Sequence, residues 1–93
     1  MNILGKVSQG QVLEQSVFQN LRGDHSLAYY SRDGANEIDF IVDGRYALEV
    51  KQTPSRREFS LLEKRAEMLN ISESYIVCNR FSDNPRAILA VDL

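Results

Sequence analysis

The chain has 93 residues, 43% apolar and 26% charged, with a formal net charge of −2 and one cysteine. That length suits one small domain with a single modest core, in an ordinary globular composition. The charge excludes a generally basic nucleic-acid binder but not a local cationic patch; no apolar run approaches a membrane span, and the start MNILGKVSQG lacks the apolar core of a signal peptide. One cysteine rules out an internal disulfide and suggests a reducing, cytoplasmic setting.

Gln9 to Arg22 are expected to form a helix. Leu13, Val17 and Leu21 recur every four positions with Phe18 one step round, which makes an apolar stripe. Ser8 is a candidate N-cap and Gly23 a stop. Glu14 borders that stripe or enters it. At the edge it reaches water; facing inward it needs a partner or a metal ion. Leu27 to Ser31 (LAYYS) is β-prone. Its two tyrosines alternate, so one belongs to the core and the other faces an acidic site or a partner. Arg32-Asp33-Gly34 then reads as a turn.

Asn36 to Gln52 (NEIDFIVDGRYALEVKQ) reads as a hairpin. Side chains alternate along a strand, so Ile38, Phe40 and Val42 should share one face and Glu37, Asp39 and Ile41 the other. A two-residue turn at Asp43-Gly44 would set Phe40 against Ala47 and mix the faces. A three-residue loop, Val42-Asp43-Gly44, with glycine in the left-handed region restores the match. Ile38 and Phe40 then join Leu48 and Val50 on an apolar face. Asp39 joins Glu49 and Lys51 on the other, because the buried pattern sets the register.

Pro54 ends the second hairpin strand, and Ser55 with Glu58 makes a capping box. The helix that follows should bury Phe59, Leu62, Ala66 and Leu69 and stop at Asn70. Arg56 and Arg57 fall in its first turn, where the helix dipole disfavours cations; this hints at an external anion, although simple exposure costs little. Tyr75 to Asn79 (YIVCN) suits a buried strand, Phe81 to Arg86 a loop, and Ala87 to Val91 a final strand. Strands on either side of a helix most simply form a parallel crossover. The expected fold is therefore α/β, a mixed sheet with helices on its faces.

Glu14, Asp39, Glu49 and Lys51 are the candidate site. Two acids on adjacent strands, with the Val50 carbonyl, could hold one Mg²⁺ ion (Mn²⁺ as a substitute), which favours hard oxygen ligands. Lys51 could orient a water or stabilise charge on phosphorus. The alternative is a surface pair of Lys51 with Glu37 or Asp39, worth little. His25, in a polar loop, has no nucleophile to pair with. Cys78 reads as a buried, unreactive thiol.

A helical glutamate, then an aspartate, then Glu49-Val50-Lys51 after a hairpin resembles the PD-(D/E)XK nuclease superfamily. More closely, GQVLEQSVFQNL, YYSRDGANEIDFIV and YALEVKQ are similar to the nuclease-like C-terminal domain of a group of prokaryotic AAA+-type ATPases. The likeness is strong over residues 10 to 52 and elsewhere rests on element order; Ile38, not proline, precedes Asp39. The resemblance implies a restriction-endonuclease-like core (αβββαβ plus a final strand) filling one domain, residues 1–93. It implies Asp39 and Glu49 as metal ligands, Lys51 as catalytic lysine, Glu14 as a further acid near the ion, and Gln52 beside the scissile phosphate. The expected activity is Mg²⁺-dependent hydrolysis of DNA. Arg56, Arg57, Lys64 and Arg65 would meet the DNA backbone. A homodimer is expected, as in the similar Holliday junction resolvases, and an AAA+-type ATPase is a possible partner of a stand-alone or excised domain. The alternative is an inactive module of the same fold, for DNA binding or for assembly with an ATPase partner.

Overall fold

The computed structural model describes residues 9–32 and 36–93, and every structural statement below concerns these. The elements in order are α1 (Gln9–Leu21), β1 (Leu27–Arg32), β2 (Asn36–Val42), β3 (Tyr46–Val50), α2 (Arg56–Met68), β4 (Glu73–Cys78) and β5 (Ala87–Leu89), followed by a 3₁₀ turn at Ala90–Asp92. The Ser8 cap and the turn through Asp33 and Gly34 lie outside the described residues.

The five strands form one sheet in the order β1-β2-β3-β4-β5. The first three are antiparallel, and β4 and β5 add in parallel. This is the α/β, αβββαβ-plus-strand order read from the sequence. The α2 crossover gives the β3–β4 pairing, as expected. The final strand is shorter than expected, stopping at Leu89 where the chain turns into the 3₁₀ helix.

The helices cover opposite faces of the sheet. Leu13, Val17 and Leu21 of α1 pack with Phe40, Val42, Leu48, Val50 and Val77. Leu62 and Ala66 of α2 pack with Ile38, Ala47, Ile71 and Ile76. The start and stop of α2 follow directly from its sequence. Ser55 Oγ accepts the Glu58 N–H (3.3 Å) and the Glu58 carboxylate accepts the Ser55 N–H (2.7 Å), the reciprocal capping box. At the other end Asn70 takes a positive φ of 60°. The Asn70 N–H reaches the Glu67 carbonyl (3.0 Å) and the Ile71 N–H the Ala66 carbonyl (2.9 Å), a Schellman closure that turns Ile71 into the core.

The hairpin loop has the expected three residues, one position later: Asp43 to Arg45, between the paired Val42 and Tyr46. Asp43 and Gly44 both take positive φ, 55° and 67°, which an Asp-Gly pair adopts readily. The shift moves each pairing by two residues, so the parity that gathers the charges is unchanged. His25 is occupied at this end of the hairpin: its Nδ1 lies 2.7 Å from Asp43 Oδ2, and the Ser26 N–H donates to Asp43 Oδ1 at 2.9 Å.

The expected face of Ile38 is not the one observed. Ile38 does not share a face with Phe40 and Val42; it is fully buried against α2, while they lie beneath α1. The cause is a β-bulge. Ala28 pairs with Ile41 and Tyr30 with Ile38, so Tyr29 alone stands opposite both Asp39 and Phe40. The extra residue in β2 reverses the alternation there. Ile38→Ala should cost about 2–4 kcal/mol. In urea unfolding its effect should couple with that of Leu62→Ala and add independently to that of Val17→Ala; coupling to Val17 instead would place Ile38 on the wrong face.

Candidate functional site

Past the Phe40–Leu48 pair the β2–β3 ladder gives way to a side chain: the Val50 N–H donates to Asp39 Oδ2 at 2.9 Å. The bulge thus supplies a carboxylate where regular pairing would continue with backbone. Glu49, the neighbouring residue on β3, points to the α2 face and is only 8% exposed. Burial foremost, then the charge of Asp39, pushes its carboxyl up to about 7 from an ordinary 4.5. Lys51 and Arg65 pull the other way, and a hydrogen bond to Asp39 adds to the upward push. Asp39 and Glu49 therefore meet.

Glu49 opens on a cleft of about 150 Å³, shared with Lys51, Glu58, Leu61, Arg65 and Ile76. Asp39 is outside that lining and approaches Glu49 from the hairpin side. Lys51 is exposed and lies 3.6 Å from Glu58 Oε2, so its ion pair is with neither Glu37 nor Asp39. Glu37 instead accepts from the Tyr29 hydroxyl at 3.0 Å. Tyr29 is the outward tyrosine; Tyr30 packs against the α2 core. Glu14 sits at the solvent edge of the α1 stripe. Partial burial and the Asp39 charge raise its carboxyl, with Lys51 opposing, which places Glu14 within electrostatic reach of the pair. Gln52 is half-buried, and its carbonyl accepts the Asn79 N–H at 3.3 Å.

The cations of α2 divide. Arg56, Arg57 and Lys64 are exposed. Arg65 is partly buried, donates to the Glu37 carbonyl at 3.2 Å and forms one wall of the cleft. From the sequence alone Glu58 reads as a cap and Arg65 as an outward cation. Their spacing carried the missing signal: positions 58, 61 and 65 fall on one helical face. Cys78 is fully buried, and burial raises its thiol.

The chemistry of the donors fits a hard divalent cation. Two carboxylates held together at the price of a retained proton gain when a cation replaces that proton. Among the described residues no three acidic, histidine or cysteine side chains form a complete metal cage. Asp39 and Glu49 are the two carboxylates that would have to hold such an ion, with water completing its shell.

The family model described as Domain of unknown function (DUF4143) matches residues 9–91. The chain belongs to this family. Comparisons with curated proteins and with solved structures return no match. In this DUF4143 chain the match spans every element that builds the cleft. No described helix is long and apolar enough to cross a membrane.

The raised Glu49 carboxyl has a consequence for the metal-free protein. Between about 4.5 and about 7 the folded chain holds a proton that the unfolded chain has lost. Stability should therefore fall as pH rises through that window, by at most about 3 kcal/mol, and level off above it. Glu49→Gln should remove the decline in urea midpoints measured in EDTA; an unchanged decline in the variant would assign it to other groups.

Proposed function

We propose that this DUF4143 chain is a metal-dependent nuclease of the PD-(D/E)XK kind, hydrolysing phosphodiester bonds in DNA. The observation that carries the reading is the Asp39–Glu49 contact at the bulged end of the hairpin, with Lys51 two residues on. Three features support it together: a buried acid whose carboxyl is raised by burial and then by its neighbour, a second acid anchored by the Val50 N–H, and a lysine lining the same cleft. Any one of them alone would be ordinary.

In this reading Asp39 and Glu49, with the Val50 carbonyl, hold a Mg²⁺ or Mn²⁺ ion, and Glu14 is a further acid at the rim. Bound there, the ion supplies Lewis-acid polarisation of the phosphate and a more acidic water. Lys51 orients the attacking water or offsets negative charge growing on phosphorus. Its ion pair with Glu58 is exposed and weak, so Lys51 can leave it when a phosphate arrives. Gln52 stands next to the scissile group. Arg56, Arg57 and Lys64 supply backbone contacts, which makes affinity salt-sensitive. Arg65 faces Glu49 across the cleft, where its charge favours the ionised carboxylate. A second copy and an AAA+-type ATPase are the expected protein partners, and the cytoplasm the expected setting.

Cleavage of linear, branched and single-stranded DNA with Mg²⁺ or Mn²⁺ tests the proposal. Wild type should cut at least one of these, and Asp39→Ala and Lys51→Ala should each lower the rate by about 100-fold or more. Equal cutting by all three proteins would remove these residues from the reaction. No cutting of any substrate would favour the inactive module.

A further inference from the structure

Phe81 is the most exposed aromatic side chain among the described residues, at 82%. A lone exposed apolar residue is common on protein surfaces; the position of this one distinguishes it. Phe81 follows β4 in the loop spanning residues 79–86, beside the exposed Arg80. That loop is tied to the proposed site, because the Asn79 N–H donates to the Gln52 carbonyl at 3.3 Å. Phe81 lies two residues on, within roughly 7 Å of chain. The C-terminal ends of parallel strands, here β3 and β4, are where open α/β sheets bind ligands.

The loop is also held in shape. The Asn84 N–H donates to Ser82 Oγ (3.3 Å), the Arg86 N–H to Asn84 Oδ1 (2.8 Å), and the Ala87 N–H to the Asn84 carbonyl (3.0 Å). Arg86 is occupied over the Tyr75 ring at 5.6 Å. Phe81 thus stands exposed at the start of a hydrogen-bonded loop, next in sequence to Arg80, with Lys51, Arg56 and Arg57 at the same end of the sheet. Asp83 and Glu58 offset part of that charge.

We propose that Phe81 is a stacking platform for an unpaired nucleobase, with Arg80 on the adjoining phosphate, so that the substrate is DNA with a single-stranded segment at the site. The inference rests on the nuclease reading and narrows its substrate. An aromatic ring stacks on any base, but only where the base has left its own stack. In continuous duplex both faces of each base are already covered. A single-stranded segment offers that face, and its phosphates suit the flanking cations.

The sequence contains no tryptophan, so Phe81→Trp introduces a lone reporter at this position. Binding is measured in EDTA, without cleavage, to a labelled oligothymidylate and to a duplex of equal length. The tryptophan emission should be quenched as the oligothymidylate binds. Phe81→Ala and Phe81→Leu should both weaken single-strand binding about tenfold and leave duplex binding unchanged. An unmoved emission at saturation, unaltered affinity in Phe81→Ala, or no oligonucleotide binding at all would overturn the proposal. So would an emission change that depends on protein concentration alone, which marks self-association through Phe81. Quenching in a protein that cuts no DNA would refute the nuclease reading and spare the platform. Normal cutting with unaltered single-strand affinity in Phe81→Ala would do the reverse.

Discussion

One extra residue in β2 decides the geometry of this protein. Without the bulge opposite Tyr29, Ile38 would lie beneath α1 with Phe40, and α2 would lose a fully buried partner. With it, both helices receive apolar side chains from the same short strand. Asp39 sits at the point of reversal, where its carboxylate takes the Val50 N–H. The bulge therefore serves the core and the candidate site at once. Such irregularities are concentrated next to functional sites because they re-aim single side chains.

The second constraint is electrostatic. A carboxylic acid at 8% exposure is costly to ionise, and Glu49 gains no full compensation from its surroundings. Lys51 is drawn partly toward Glu58, and Arg65 is engaged with the Glu37 carbonyl. Asp39, the group nearest Glu49 in effect, repels its charge. A fold optimised for stability alone would place an apolar or neutral side chain here. Retaining two acids against each other is the arrangement a cation would relieve.

The sequence made some of this visible. Period-two alternation and an Asp-Gly loop were enough to require an odd loop, because only that keeps Phe40 and Leu48 on one face; the final aim of Asp39 comes from the bulge. The limits of α2 were equally legible: Ser55 with Glu58, and Asn70, each act through local hydrogen bonds that need no tertiary information. The bulge was not legible. No glycine or proline marks it, and it arises because two helices on opposite faces both require cover from β2. The face of Ile38 departs from simple alternation for that reason. The charge of Arg65 by itself suggests an outward role, whereas its helical phase relative to Glu58 and Leu61 places it beside Glu49. The family match extends over these elements but assigns them no activity.

The claim on which the functional reading depends is that Asp39 and Glu49 form one divalent-cation site. Calorimetric titration of Mn²⁺ into the wild type, Asp39→Asn and Glu49→Gln proteins addresses it most directly. One ion should bind per wild-type chain, with binding lost or weakened by about tenfold or more in each variant. Absence of binding to the wild type, or equal binding by all three proteins, would contradict the claim.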